Sequence, residues 1–270
     1  MSDIQHALAG RYEVDRQLGR GGMATVYLAV DRVTGRQVAV KVLLPELAVT
    51  VAADRFQREV AILSKFSHPN ILPLLDSGAD GSFVYFVMPY AHGDSLRALL
   101  NREPQLSVDR TLAIARDIAA GLDYMHANNV VHRDIKPENV LFDEGRAVLC
   151  DFGVARAIVA STGDSISSSG LIIGTPAYMS PEQAEGHSDL DARSDIYSFA
   201  CLIYEMLAGE PPFTGRTAQV VIAKQVKERP PSLGVVRPDV PADLGAALER
   251  ALAKDPKARP RSGSELVTRF

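Results

Sequence analysis

The sequence predicts an α+β chain in two lobes, a small antiparallel β-rich lobe with one key helix and a larger helical lobe. Three observations carry this reading. From Tyr12 the apolar residues alternate with polar ones around a glycine cluster, YEVDRQLGRGGMATVYLAV, so the stretch reads as two antiparallel strands joined by a flexible turn. Beyond about Asp94 the apolar spacing becomes helical, most clearly in VDRTLAIARDIAAGLDYMHANN. With 270 residues, 46% of them hydrophobic, and a mean hydropathy of zero, the chain can bury a substantial core.

Taken in order, the glycines follow Gly19-x-Gly21-x-x-Ala24, a weak pattern by itself, with Gly22 as a further source of freedom. Small residues at such positions let backbone amides approach phosphate oxygens. After the turn DRVTGR comes QVAVKVL, a strand in which Lys41 is the single charge among apolar neighbours. A lysine so placed is more often a snorkelling edge residue than a catalytic one. A partner shifts the balance. In the helical stretch from Asp54 to Phe66, Phe56, Val60 and Leu63 share a face that Glu59 borders, so Glu59 is expected to pair with Lys41. Glu46 is the rival, but it follows Pro45 with no helix to hold it. HPNILPLLDSG and SFVYFVMPYAHGDSL read as two more strands and a linker, with Asp94 capping the helix SLRALL.

In the long helix that follows, Leu112, Ala115, Ile118, Ala119 and Leu122 form the inner side. Between Val154 and Gly174 the composition changes, with six hydroxyl residues at 161–169: Ser161, Thr162, Ser165, Ser167, Ser168 and Ser169. That composition reads as a mobile loop. RSDIYSFACLIYEMLAG is apolar nearly all round, as a central buried helix must be, which makes Asp195 a buried carboxylate in need of donors. TAQVVIAKQVK and ADLGAALERALAKDP read as peripheral helices. SGSELVTRF begins a last helix in which the chain stops, so an excised domain of a longer protein is expected.

Several classes are disfavoured. A net charge of −4, from 29 basic and 33 acidic residues, and a pI near 5.9 give no electrostatic footprint for nucleic acid or anionic lipid. Cys150 and Cys201 lie in apolar contexts and read as reduced core residues of a cytosolic protein. The N-terminus lacks a basic region followed by an apolar run, and the most apolar stretch, Ile196 to Ala208, is short and interrupted by Glu205. No membrane contact is expected from this segment.

The chemistry concentrates in Val130 to Gly153, VVHRDIKPENVLFDEGRAVLCDFG. Phosphoryl transfer from a metal-bound nucleotide asks mainly for positioning and charge neutralisation. One carboxylate must orient the attacking hydroxyl and accept its proton, which suits Asp134. A second carboxylate and a neutral oxygen donor must hold magnesium, which suits Asp151 and Asn139. Lys136, two residues beyond the base, can reach the transferred phosphate. A solvated charged turn between two strands is the bland alternative. These types at fixed offsets, followed by Asp-Phe-Gly, argue against it.

HRDIKPEN (132–139), DFG (151–153), VAVK (38–41) and LGRGGMATV (18–26) together resemble the protein kinase signature set. GRGGMATVYLA and GTPAYMSPEQ are similar to the eukaryote-like serine/threonine kinases of bacteria. The resemblance covers nearly the whole chain and implies a bilobal protein-kinase-like fold with the active site between the lobes. The implied domain is 12–270, with an N-lobe at 12–88, a hinge at 89–93, a C-lobe at 94–270 and an N-terminal extension at 1–11. The implied cofactors are ATP and Mg2+, with Mn2+ as an alternative. The nucleotide would contact Leu18, Gly19, Arg20, Gly21, Gly22, Met23, Ala24, Val26, Ala39, Met88, Leu141 and the hinge residues Pro89 and Ala91. Lys41, set by Glu59, would reach its inner phosphates. Thr175 would join Asp134 and Lys136 in catalysis, and Lys136 and Thr175 imply serine/threonine substrates. Glu182 would pair with Arg259, and Asp195 would accept from the backbone amides of the His132–Arg133 turn. Ser180 stands where the family more often has alanine, which reads as a minor change. A pseudokinase scaffold would lose one of Lys41, Asp134, Asn139 or Asp151, and an aminoglycoside-type phosphotransferase would lack GTPAYMSPEQ; neither holds.

The resemblance also implies regulation. Arg133, Arg156 and Arg55 would converge on one phosphate pocket, with Ser167 and Ser169 as favoured phosphate carriers. A phosphoserine brings about −1.5 to −2 charges, enough to order a loop through arginine contacts. Autophosphorylation within 161–169, in trans through a homodimer, is therefore expected of a cytoplasmic kinase, or of the cytoplasmic domain of a membrane-anchored protein.

Overall fold

The computed structural model describes residues 4–5, 8–22, 24–45, 60, 64–80, 83–151 and 175–268. The chain divides into two compact units, with the boundary between Ala91 and His92. The helix expected over 54–66 falls almost wholly outside the described residues.

In the first unit, β1 (Tyr12–Arg20), β2 (Ala24–Asp31), β3 (Gln37–Leu43), β4 (Asp76–Asp80) and β5 (Phe83–Pro89) form one sheet. The strand order is β1-β2-β3-β5-β4, and every neighbouring pair is antiparallel. Side chains alternate between faces along a strand, so register decides which residues share a side. Tyr27, Ala29, Val38, Val40, Val42 and Val87 point one way and pack with Leu8, Tyr12 and Val14 into a core. β-Branched valines suit this pleated, two-sided burial. The opposite face receives Val26, Lys41 and Phe86, directly opposed across three strands, and beside them Leu28, Ala39 and Met88. β1 slips register twice against β2, between Val14 and Arg16 and between Gln17 and Gly19, so the strand that leads into the glycine turn is irregular where β2 and β3 are not.

The second unit is helical around one two-stranded hairpin. Its elements are α1 (Leu96–Arg102), α2 (Val108–Ala127), β6 (Val140–Asp143), β7 (Arg146–Leu149), α3 (Pro181–Ala184), α4 (Ala192–Ala208), α5 (Ala218–Lys227), α6 (Leu233–Val236), α7 (Ala242–Ala251) and α8 (Gly263–Val267). Every residue of α4 from Ser194 to Ala208 is buried, which its all-round apolar sequence requires. The helix starts on the Asp191 carboxylate, which accepts the Arg193 N–H at 2.8 Å, and stops at Gly209, whose φ of 88° is the left-handed ending glycine permits. Leu112, Ala115, Ile118, Ala119 and Leu122 of α2 all lie in the same core as α4. Cys150 and Cys201 are both buried and unbridged.

One expectation is corrected here. Ser95, not Asp94, caps α1: the Ser95 hydroxyl accepts the Ala98 N–H at 3.2 Å. Asp94 lies one residue too early to reach those amides, and its carboxylate pairs with Arg102 at 2.7 Å. Among the described residues no helix is long and apolar enough to cross a membrane.

Candidate active site

The site of the second unit is built on the β6–β7 hairpin. Glu144 and Gly145, at φ 48° and 81°, make the two-residue turn between the paired residues Asp143 and Arg146. Two successive positive φ values match the right-handed twist of the strands, so this turn fixes the register. Val140 then pairs with Leu149, and Cys150 N–H donates to the Asn139 carbonyl at 3.0 Å. Asn139 and Asp151 therefore flank the same open end of the hairpin, although twelve positions separate them in sequence. Asp151 itself sits at φ 59°, a left-handed conformation uncommon for a side-chain-bearing residue and one that collects at functional sites.

Asn139 reaches back to the preceding turn. Its Nδ2 donates to the Asp134 carbonyl at 2.8 Å and to Asp134 Oδ2 at 3.0 Å. Both partners are acceptors, so the amide orientation is fixed by chemistry, and Oδ1 is the atom turned away from Asp134. Lys136 Nζ lies 2.9 Å from the same Asp134 oxygen. Asp134 and Lys136 each keep about a fifth of their side chain exposed, at 20% and 19%. Asn139 Oδ1 and the Asp151 carboxylate are hard oxygen donors carried by backbone at the same end of the hairpin. Magnesium is commonly held by one or two protein groups, with phosphates and water completing the shell, and this pair fits it.

What holds the turn is a buried anchor. Asp195, 1% exposed, accepts the His132 N–H at 2.7 Å, the Arg133 N–H at 2.8 Å and a bond from His126 Nε2 at 2.8 Å. Arg133 is at φ 65°, a conformation that these bonds support. His132 is wholly buried; its Nδ1 accepts the Asp134 N–H at 3.3 Å, and its Nε2 contacts the Cys150 carbonyl at 3.1 Å. A carbonyl only accepts, so the ring carries its proton on Nε2. Burial pushes His132 below its ordinary value and keeps it neutral, although Asp195 and Asp134 nearby favour the charged form. One imidazole thus ties the turn before Asp134 to the strand end before Asp151.

The segment after Thr175 is fastened to the same turn. Thr175, half-buried, opens a short 3-10 turn over Pro176–Tyr178. Ser180 begins α3 as a full capping box: its hydroxyl accepts the Gln183 N–H, and Gln183 Oε1 accepts the Ser180 N–H at 3.0 Å. Serine here is thus a working cap and not the minor change the resemblance implied. Gln183 Nε2 also donates to the Arg133 carbonyl at 2.9 Å, joining α3 to the Asp134 turn. Glu182 receives Arg259 bidentately at 2.7 and 2.9 Å, and the Ser194 hydroxyl at 2.6 Å. Arg259 spends its remaining N–H groups on the carbonyls of Ala253, Arg193 and Lys254, so all five donors are bonded. Burial alone would raise Glu182, but the bonds from Arg259 and Ser194 hold it below the usual carboxylate range.

In the first unit, Lys41 is half-buried in the middle of β3 between Val26 and Phe86, with Ala39 and Met88 beside it. Ala24 is not part of the glycine turn; it is the buried first residue of β2, opposite Leu43. Leu18 and Arg20 are exposed on β1, and Gly21 N–H donates to the Ala24 carbonyl at 2.9 Å. A side chain added at Gly19 or Gly22 would meet nothing within 4 Å, so packing within the protein does not demand glycine there. Close approach of a phosphate to the backbone would. Pro89 and Ala91 end the unit, half-buried and buried, and Leu141 lies in β6, bridged to Ser95. Met23, Arg55, Glu59, Arg156, Ser167 and Ser169 lie outside the described residues.

Two contributors, His126 and Arg97, carry no local sequence signal, and a third, Gln183, carries one only for its helix cap. His126 completes the anchor from α2, 69 positions from Asp195. Gln183 joins the two turns across 50 positions. Arg97 on α1 donates to Glu138 at 2.8 Å, Glu205 at 2.8 Å and the Tyr178 hydroxyl at 2.6 Å, while Tyr178 donates to Glu205. That cluster links the turn before β6, the turn after Thr175 and α4.

Against known proteins, residues 12–268 match the family model described as a protein kinase domain. A probable serine/threonine-protein kinase of Streptomyces coelicolor is 42% identical over 96% of this chain and 39% of that protein. The serine/threonine-protein kinase PknB of Mycobacterium tuberculosis is 40% identical over 96% of this chain and 42% of its own. The chain spans about two-fifths of the length of these relatives. Among solved structures, the kinase domain of Mycobacterium tuberculosis PknI gives a TM-score of 0.75 at 32% identity, covering 95% of this chain and 94% of that one. Rad53 residues 1–466, solved in complex with AMP-PNP, gives 0.80 at 25% identity over 96% and 65%. A family model that spans nearly the whole sequence, with relatives at about 40% identity, places this chain in the protein kinase domain family.

Proposed function

We infer that this chain is a serine/threonine protein kinase, transferring the γ-phosphoryl group of ATP to hydroxyls of protein substrates. The observation that carries the reading is the Asp134 turn, a partly exposed carboxylate paired with Lys136, bonded to Asn139 and suspended from a buried anchor. Asp134 orients the substrate hydroxyl and takes its proton at the carboxylate. Lys136 places a cation where charge develops on the transferred group, and Thr175 supports the substrate beside it. Asn139 Oδ1 and Asp151 hold Mg2+, or Mn2+ in its place. When bound, ATP supplies the phosphoryl group and the metal neutralises its oxygens.

Lys41, paired with Glu59, holds the inner phosphates, and the backbone of Gly19 to Ala24, including Arg20, Gly21, Gly22 and Met23, covers the outer ones. Leu18, Val26, Ala39, Met88 and Leu141 enclose the base, and the backbone of Pro89 to Ala91 bonds its edge. The domain runs over 12–270, with a hinge at 89–93. Activity rises on autophosphorylation within 161–169, at Ser167 or Ser169, in trans between two copies, and the phosphate is read by Arg55, Arg133 and Arg156. The chain works in the cytoplasm. Mass spectrometry after incubation with magnesium ATP and a generic protein such as casein tests this. Phosphoserine and phosphothreonine on the substrate, and phosphate within 161–169, are expected. Absence of any protein phosphorylation overturns the kinase assignment, and phosphate everywhere except 161–169 overturns the regulatory part alone.

A further inference from the structure

The 3-10 turn over Pro176–Tyr178 is held from a direction that the catalytic residues do not account for. On α5 only Val221 and Gln225 are buried, one helical turn apart, and Gln225 is 0% exposed. A buried amide is costly unless every group on it is bonded. Gln225 Nε2 donates to the carbonyls of Pro176 at 3.0 Å and Ala177 at 2.8 Å, and its Oε1 accepts the Tyr197 hydroxyl at 2.6 Å.

The directions of these bonds are forced. The two carbonyls only accept, so the NH2 group must face them and Oε1 must face Tyr197. Burial holds the Tyr197 phenol protonated well above its ordinary value, which makes it a donor to Gln225. From the other side Lys254 Nζ donates to the Tyr197 oxygen at 3.0 Å and sits 4.3 Å from the centre of the Phe213 ring. The ammonium thus occupies the acceptor side of the phenol and leaves its hydrogen to Gln225. A methionine would fill the same volume, so the amide adds bonding to the turn and not packing.

We propose that Gln225 is a positioning residue for the protein substrate, setting the backbone of residues 176 and 177 beside Thr175, with Tyr197 and Lys254 fixing the direction of its amide. This rests on the proposed role of Thr175 in supporting the substrate, and takes the backbone that follows Thr175 as the place where the substrate docks. The nucleotide is held by other residues, so loss of Gln225 falls on substrate affinity.

The test uses steady-state kinetics of the whole chain with a serine peptide and magnesium ATP, beside melting temperatures. Gln225→Met keeps the side-chain length and removes both donors and the acceptor. About a 10-fold rise in peptide KM is expected, with kcat and the KM for ATP within about 2-fold, as for loss of two neutral hydrogen bonds that serve binding alone. Tyr197→Phe, which leaves both donors of the amide but removes the bond that braces its oxygen, is expected to raise peptide KM about 3-fold. Unchanged peptide KM in a folded Gln225→Met, or a fall in kcat at constant KM, overturns the proposal. Should Gln225→Met not fold, Tyr197→Phe decides by the same criterion. A wild-type chain that phosphorylates no peptide would instead overturn the kinase reading on which this one stands.

Discussion

Asp195 and Asp134 serve the same turn in opposite ways. Asp195 is 1% exposed and meets three N–H groups at 2.7 to 2.8 Å. Asp134 is 20% exposed and shares one oxygen between an ammonium and an amide. A carboxylate saturated by buried donors cannot exchange partners cheaply, which suits an anchor. One that stays accessible can accept a proton from a substrate, which suits a base. The protein keeps the two apart by giving rigidity to the residue behind the turn and reach to the one in front of it.

The anchor class extends to Glu182 and Arg259, and removing one partner there should give the largest loss of stability. Arg259→Ala strands a largely buried Glu182 and should cost about 3–5 kcal/mol in urea unfolding. A loss under about 1 kcal/mol would show that burial and full bonding do not mark an anchor, and would dissolve the contrast drawn above.

A smaller effect concerns pH. His132 is held neutral when folded, with its affinity for protons lowered by burial, whereas the unfolded chain titrates near 6.5. The unfolded state therefore binds more protons below that value, so stability is complete above about pH 6.5 and falls as pH drops through it. The slope reaches at most about 1.4 kcal/mol per pH unit for one such group. His68 is lowered by burial as well and adds in the same direction. Unfolding free energies measured from pH 8 to 5 should show this decline, and His132→Asn should flatten it. A flat wild-type profile would mean that His132 is not the neutral bridge described.

The smallest expected effect is at the cap. Ser180→Ala removes one half of the capping box on α3 and should cost about 1 kcal/mol, with Gln183 losing its hold on the Arg133 carbonyl only in part. Peptide turnover should fall slightly, whereas a change beyond about 10-fold would assign Ser180 a direct part in the chemistry.

Much of this is legible in the sequence where the pattern is local. Alternation over 12–43 gives the strands, and the isolated charge at Lys41 marks the half-buried face of β3. The unbroken apolar run of α4 makes Asp195 a buried carboxylate before any donor is known. The family motifs single out Asp134, Asn139 and Asp151, but spacing does not say why they meet. The Glu144–Gly145 turn does that, and Asp-Glu-Gly between two apolar runs is the hairpin signal that would have shown it. Ser180-x-x-Gln183 is likewise a readable capping box, hidden when the position is compared only with the family's usual alanine. His126, Arg97 and Gln225 are not legible at all. Each acts across 28 positions or more, through contacts that only the packed helices create, and no local periodicity reports such a pair.

The most direct measurement applies one substitution to both ends of the turn. Asp134→Asn and Asp195→Asn are compared for turnover on a serine peptide, for melting temperature and for thermal shift with magnesium ATP. Asp134→Asn should lose about 10²- to 10⁴-fold in turnover while melting and responding to nucleotide like the wild type. Asp195→Asn should lose both turnover and several degrees of melting temperature, because whichever oxygen becomes NH2 opposes a buried donor, the Arg133 amide at one position or the His132 amide at the other. Near-normal turnover in Asp134→Asn, or an Asp195→Asn protein as stable as the wild type, would contradict the division into base and anchor.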